Sequence, residues 1–277
     1  MKPTQLSRLA FFQGGYCRQL RWLADGKGWG TRRFHALFLA FHHPTEGTCL
    51  IDTGYSHHFK EATDSFPERF YRWMTPATLN PAGDASQILA THGWDPPGKI
   101  FLSHFHADHI GGVRCFPRAR FVYLGEGLDK LSDLPVFSQV RHGFLSHLLP
   151  EDFKARAIAL GRDLFHRGKE DWREFDMLDY FGDQSLWLVH LPGHAPGHLG
   201  FVLNVDPKPV FYITDACWNL DQLQNPKPLP VPSRKIQHSY PDYLATQDKI
   251  RRINPSRLQL AACHCPFTET LAANHAD

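Results

Sequence analysis

The stretch LSHFHADHIGG, residues 102–112, decides how this chain is read. It places His104, His106, Asp108 and His109 within six positions, directly after the apolar run Ile100 to Leu102, which reads as a buried strand. Imidazole and carboxylate are the ligand set of zinc and other first-row metals, and four such groups exceed what one tetrahedral ion takes from one loop. The spacing therefore points to two ions. In an extended loop, positions i and i+2 face the same way, which lets His104 and His106 share one ion. A helix starting near Asp108, with Gly111 and Gly112 admitting a close backbone, would aim Asp108 and His109 at the second. Chance is a poor rival: with 18 His in 277 residues, an accidental HxHxDH is expected about 0.004 times in such a chain.

HxHxDH resembles the signature of the metallo-β-lactamase superfamily, whose members are mostly hydrolases with a dinuclear metal centre on a four-layered αββα sandwich. The resemblance implies three further ligands downstream, in the order His, Asp, His. The chain supplies His194 in LPGHAPGH, Asp215 at the end of VFYITD and His264 at the end of LQLAACH. Carried over onto these positions, His104, His106 and His194 would hold one ion, and Asp108, His109 and His264 the other. Asp215 would bridge them, and Asp52 in LIDTG would be structural or stand behind the ligands. The resemblance spans about residues 36–265 and implies an α/β fold, a single domain over 1–277, and two divalent ions, zinc foremost.

Composition narrows the partners. Lys plus Arg number 30 against 28 Asp plus Glu, a net charge of +2, which is no electrostatic footprint for nucleic acid. No apolar run approaches 18 residues, so no membrane span is expected. The six Cys lack the spacing of a small disulfide scaffold, and no apolar signal core follows Lys2 and Arg8, so a cytoplasmic protein is expected. Aromatic residues make up 13% of the chain, which hints at apolar surface with a purpose beyond the core.

Along the chain, the first 35 residues suggest an edge strand and hairpin. Residues 36–42 and 48–52 read as strands joined by the turn PTEG at 44–47. Phe59, Ala62, Phe66, Phe70 and Trp73 recur at helical spacing, interrupted by Pro67, and suggest core-facing helix turns, with Phe70 and Trp73 able to lip a site. Asp84 caps a short helix over 84–92, and ARFVYL at 119–124 is another strand. Residues 125–182 show few strand signals and many scattered leucines and phenylalanines. Because the 104–109 loop and His194 must meet, this stretch reads as an excursion from the sandwich, either helices packed on it or a helical lid over an apolar acyl pocket. On the lid reading, Phe137 and Phe144 contact the substrate.

The second half repeats the first in outline. Residues 201–215, FVLNVDPKPVFYITD, copy the plan of residues 37–54: a strand, a Pro-bearing turn, a strand and a terminal Asp. Asp52 precedes His104 by 52 residues and Asp215 precedes His264 by 49. A duplication giving two similar halves is the expectation. NPKPLPVPS at 225–233 reads as a Pro-rich loop and 241–253 as a helix with Pro in its first turn.

Two neighbouring divalent ions can share a hydroxide at neutral pH, and one can polarise a carbonyl. Asp108 is placed to accept and redeliver a proton. The expected reaction is opening of a lactone or ester in a small acyl substrate by the bridging hydroxide. Cys263 and Cys265 read as buried thiols turned from the face of His264. The ligand spacings resemble those of N-acyl homoserine lactone lactonases, which carry a Tyr three positions after the bridging Asp. Here that position is Trp218, read as an apolar substrate wall, with Tyr240 or Tyr243 reaching the site as the alternative. Three other functions fit the ligands: a thioesterase of the glyoxalase II type, a phosphodiesterase, and a low-turnover metal-containing regulatory or biosynthetic protein.

Overall fold

Alternation along residues 36–41 sorts side chains into two layers at once. In the computed structural model, which describes residues 3–25 and 28–268, Ala36, Phe38 and Ala40 face one apolar cluster while Leu37, Leu39 and Phe41 face another. This strand therefore divides a helix layer from a sheet interface.

β1 (Arg8–Leu20) and β2 (Thr31–His43) form a long antiparallel pair, and β3 (Gly47–Ile51) returns along β2 after the expected turn. β4 (Ala77–Thr78) adds to β1. On the other side β5 (Lys99–Phe101), β6 (Arg120–Leu124) and β7 (Ala157–Leu160) continue in parallel, giving the order β4-β1-β2-β3-β5-β6-β7. The second sheet holds β8 (His166–Arg167), β9 (Asp176–Asp179), β10 (Leu186–His190), β11 (Leu199–Leu203), β12 (Val210–Tyr212) and β13 (Gln259–Ala261). Its order is β13-β12-β11-β10-β9-β8, antiparallel except for β12 with β13.

Between the sheets, Phe41, Ile51, Phe101 and Val122 pack against Leu188, Phe201 and Tyr212. Outside the first sheet, Ile88 and Leu89 of the helix Ala85–Thr91 and Ile110 cover Ile100 and Phe121. Outside the second, Ile250 of the helix Tyr240–Arg251 and Leu223 cover Val189 and Phe211. Each sheet is thus buried on both faces, and the layers run helix, sheet, sheet, helix, the αββα sandwich that the sequence leads one to expect. The internal repeat is present as topology. β2, β3 and β5 pair antiparallel then parallel, and β11, β12 and β13 do the same.

Two expectations need correction. The stretch 125–182 is helical only in its first part, at Gly125–Ser132, Val136–Arg141 and Phe153–Arg156. Its remainder stays in the sandwich, with β7 extending the first sheet and β8 and β9 the edge of the second. These edge strands are short and carry His166, Arg167, Asp176 and Asp179, so they show no run of buried alternation. The second correction concerns 57–74. Phe59 and Ala62 are buried, whereas Phe66, Phe70 and Trp73 are 62%, 45% and 62% exposed. Pro67 ends the helical phase, and the new helix Glu68–Met74 turns Phe70 and Trp73 outward while Tyr71 packs against Phe59; Phe66 and Trp73 pack on each other at 5.4 Å.

Candidate metal centre

Every expected ligand follows the end of a strand or sits in a loop beside one. His104 and His106 lie in the turn after β5, and Asp108 and His109 on the short helix Ala107–Ile110 that His106 precedes in extended conformation. Gly111 and Gly112 allow this turn to press against the chain after β3. A Cβ on Gly111 would meet the Gly54 carbonyl oxygen at 2.6 Å, and one on Gly112 the Thr53 oxygen at 2.9 Å. His194 lies between β10 and β11, Asp215 beyond β12 and His264 beyond β13.

The pseudo-symmetric halves use their aspartates differently, and register explains why. Ile51 pairs with Phe101, and Tyr212 with Ala261, so His104 and His264 occupy matching places, each three residues past the paired strand. Asp52 follows Ile51 directly, but Asp215 lies three residues past Tyr212. The two-residue offset carries Asp215 out among the histidines and leaves Asp52 beneath them.

Asp215 Oδ2 lies 3.0 Å from His264 Nε2, 3.2 Å from His194 Nε2 and 3.5 Å from His109 Nε2. His194 Nε2 is also 3.1 Å from His106 Nδ1. Asp108 Oδ2 stands 3.6 Å from His264 Nε2 and 3.8 Å from His109 Nε2. Donor atoms of His104, His106, His194 and Asp215 all fall within 4.8 Å of one another, as do those of His109, Asp215, Cys263 and His264. Asp215 is common to both groups.

A metal fits this donor set. His104 Nε2, His109 Nε2 and Asp215 Oδ1 are buried without a hydrogen-bond partner, a costly condition that coordination would relieve. Five imidazoles and two carboxylates suit zinc. Burial, then the neighbouring His109, keeps the pKa of His104 well below its ordinary value, and burial with His194 does the same for His106. Both rings are therefore neutral and ready to coordinate at neutral pH. Burial opposes a charge on Asp215, yet His264 and His109 outweigh it and hold its carboxyl well below the usual range. Conversely, Asp52, Asp215 and Asp108 overcome burial at His109 and raise its pKa.

Behind the candidate ligands stands a layer that sequence reasoning found only in part. His109 donates Nδ1–H to Asp52 Oδ2 at 2.8 Å, and Asp52 also accepts from the Ser103 amide and hydroxyl, each at 2.8 Å. His104 Nδ1 bonds Ser103 Oγ at 2.9 Å, His194 Nδ1 bonds Gln237 Oε1 at 2.9 Å, and His264 Nδ1 bonds the His35 carbonyl at 2.7 Å. These bonds fix the tautomers so that Nε2 of each ring faces the centre. His198, the second histidine of LPGHAPGH, is spent on Thr214 Oγ1 at 2.7 Å and the Leu191 carbonyl at 2.8 Å. The Cys263 thiol points to the His35 and Leu37 carbonyls, yet its sulfur lies closer to the second group than strand alternation suggests, while Cys265 is buried in the outer core.

A cavity of about 450 Å³ opens onto the centre, reaching His106, Asp108, His194, Asp215 and His264. Its walls are mostly apolar, with Leu23, Phe34, Phe70, Phe137, Val140, Trp218 and Ile236 among them, and Gln19, Arg141, His142 and Lys235 add polar groups. Trp218 meets Phe34 edge-on at 5.7 Å, and Phe34 in turn meets His264 at 5.4 Å. Tyr240 and Tyr243 do not line the cavity, and the Tyr240 hydroxyl accepts the Leu229 amide at 3.0 Å. Phe137 lines the cavity, but Phe144 does not and must be corrected. It is buried in the core 6.0 Å from Phe105. Tyr55 and Cys17 line the wall without any signal in the sequence that could have placed them there.

The profile of the Metallo-beta-lactamase superfamily matches residues 31–260. Among curated proteins, the metallo-hydrolase mfmC of Annulohypoxylon moriforme is 32% identical over 139 residues, 49% of this chain and 35% of that one. The chain thus spans about a third of the length of that relative. N-acyl homoserine lactonase AttM of Agrobacterium fabrum (strain C58 / ATCC 33970) is 28% identical over 187 residues, 63% of this chain and 58% of the relative. A solved N-acyl homoserine lactone hydrolase, with the product N-hexanoyl-L-homoserine at its catalytic metal center, superposes with a TM-score of 0.70 at 16% identity, covering 98% of this chain and 97% of that one. At that identity the likeness establishes a shared fold.

Proposed function

The chain belongs to the Metallo-beta-lactamase superfamily, and on that premise we propose that it is a metal-dependent hydrolase of lactones or esters with an apolar acyl group, N-acyl homoserine lactone-like compounds being favoured. The observation that carries this reading is the junction of two donor groups sharing Asp215 with an apolar cavity. Two divalent ions, zinc first, would be held by His104, His106 and His194 and by Asp108, His109 and His264, and when bound supply a nucleophilic hydroxide and Lewis-acid polarisation of the carbonyl. The chain's own groups do the rest. Asp215 faces both sets of imidazoles and holds them in register. Asp108, at the cavity floor, takes a proton from the attacking water and returns it to the departing alkoxide. Phe137, Val140 and Ile236 receive the acyl chain and exclude water from it.

The decisive experiment is a turnover panel on metal-replete protein with acyl homoserine lactones, simple lactones, acyl thioesters, bis-p-nitrophenyl phosphate and nitrocefin. Lactone or ester opening is expected. Cleavage confined to thioesters or phosphodiesters would replace the reading with one of those chemistries.

Two further results are expected from the cavity walls. With a homologous acyl series, kcat/KM should rise by up to about 0.8 kcal/mol per methylene buried, roughly fourfold each, until the cavity is filled. A flat response would show that the acyl chain lies elsewhere. At Trp218, the indole donates one hydrogen bond, accepts none and has no acidic hydroxyl, so it serves as wall rather than proton shuttle. Trp218→Tyr is expected to keep the ion content, raise hydrolysis of acyl homoserine lactones and lower that of the native substrate. Parent-like kinetics for both Trp218→Tyr and Trp218→Ala on every compound would remove the residue from substrate contact.

A further inference from the structure

Outside the catalytic cavity, His57, His58 and Cys115 each bring one donor atom to within 4.8 Å of the others. None of the three lines that cavity. The two histidines lie at the start of the helix His58–Ala62, and Cys115 ends the short turn Val113–Cys115. Their backbones are tied together close by, since Ser56 Oγ donates to the Gly111 carbonyl and the Gly112 amide donates to Thr53 Oγ1. The donors are therefore set by fixed chain segments.

The imidazole rings of His57 and His58 sit 3.9 Å apart, centroid to centroid. Each is oriented by a carboxylate at Nδ1: Asp84 Oδ2 at 3.2 Å from His57, and Glu61 Oε2 at 3.1 Å from His58. Asp84 is only 8% exposed and is itself anchored by the Ser86 hydroxyl at 2.7 Å. Among the described residues, neither ring has a hydrogen-bond partner at Nε2. A carboxylate at one ring nitrogen and an open second nitrogen is the arrangement that orients metal-ligating histidines. A neutral imidazole serves its carboxylate through Nδ1–H, which leaves its other ring nitrogen an acceptor, and the fold brings two such rings and a thiol into one cluster.

We propose that His57, His58 and Cys115 form a separate site for one borderline-soft divalent cation, zinc in the first instance, with Asp84 and Glu61 as orienting groups and the fourth position open to water. Two imidazole nitrogens and a thiolate form a mixed set that a hard ion such as magnesium does not favour. Burial and the neighbouring Asp84 push the free Cys115 thiol up to about 12. Loading the site therefore breaks its S–H bond, forms the sulfur-to-metal bond and releases one proton to solvent, with no change of oxidation state. The His57 side chain is 59% exposed, so the site opens to water and exchanges its ion more readily than the buried centre. This assignment does not depend on the proposed reaction.

The test is cobalt(II) titration of the zinc-free full chain, read by the near-ultraviolet thiolate-to-cobalt charge-transfer band together with metal stoichiometry. Since Cys263 lies among the donors of the catalytic centre, the parent is compared with Cys115→Ser and Cys263→Ser. The band is expected in the parent and in Cys263→Ser and to be missing from Cys115→Ser, which binds one equivalent fewer and keeps its zinc-supported hydrolysis. In a second measurement, zinc should slow alkylation of Cys115, followed by peptide mass spectrometry, in the parent and not in His58→Ala. A band that survives Cys115→Ser, a band lost with Cys263→Ser, or alkylation of Cys115 indifferent to zinc would overturn the proposal.

Discussion

Asp215→Asn is expected to weaken retention of both catalytic ions together and to lower kcat/KM by more than about 100-fold, the upper loss when only an orienting partner of a metal ligand is removed. The reason is its position. One oxygen, Oδ2, lies within 3.5 Å of His109, His194 and His264, which belong to different donor groups, while Oδ1 is buried without a partner. The asparagine keeps the shape and removes the charge that a pair of divalent ions requires. Its amide nitrogen would also confront ring nitrogens or an ion with a donor where an acceptor is needed. Elemental analysis after desalting, beside activity with and without added zinc, measures the effect. Loss from a single group, or an ion content equal to the parent's, would deny Asp215 the bridging role. Chelation of the parent should abolish turnover, and zinc should restore it.

The candidate ligands could be picked out in sequence because their residue types carry the chemistry and chance does not supply seven of them in order, and the fold brings them to one place. The strands around them were legible because residues 36–41 and 49–51, on either side of a polar turn, alternate between two buried layers. The orienting layer was mostly hidden. Gln237 serves His194 from 43 residues away and the His35 carbonyl serves His264 from 229, and neither a glutamine nor a backbone oxygen carries a local signal. β7 to β9 were missed for a related reason: short edge strands need no buried alternation. Phe137 and Phe144 belong to one apolar scatter, and only the turn between them decides which lines the cavity. Gly143, at φ 71°, reverses the chain so close to His106 that a Cβ there would come within 2.8 Å of its ring. Past that turn Phe144 enters the core while Phe137 stays at the cavity mouth.

Asp52 offers the sharpest test of that hidden layer, because it does not line the cavity and is not among the grouped donors. It is fully buried and accepts three hydrogen bonds, two from Ser103 and one from His109. Ser103 in turn meets His104, so one carboxylate steadies a ring in each donor group. Its backbone is left-handed, at φ 61°, a conformation that asparagine tolerates better than alanine, which makes Asp52→Asn the cleaner variant. Asparagine offers one acceptor oxygen and places an N–H₂ against a donor. The His109 contact is the more exposed to this loss, because the ring can turn whereas the Ser103 amide cannot. We expect Asp52→Asn to weaken metal binding by about 10- to 100-fold, first at the group containing His109, Asp108 and His264. Competition with a chelator of known affinity reads the loss, and thermal unfolding of the metal-free proteins separates it from a general defect. If orientation is the role, Asp52→Asn should lose ions from the His109 group while excess zinc recovers much of its turnover. If the variant holds both ions as the parent does and differs only in metal-free stability, Asp52 is a core carboxylate and the positioning argument fails.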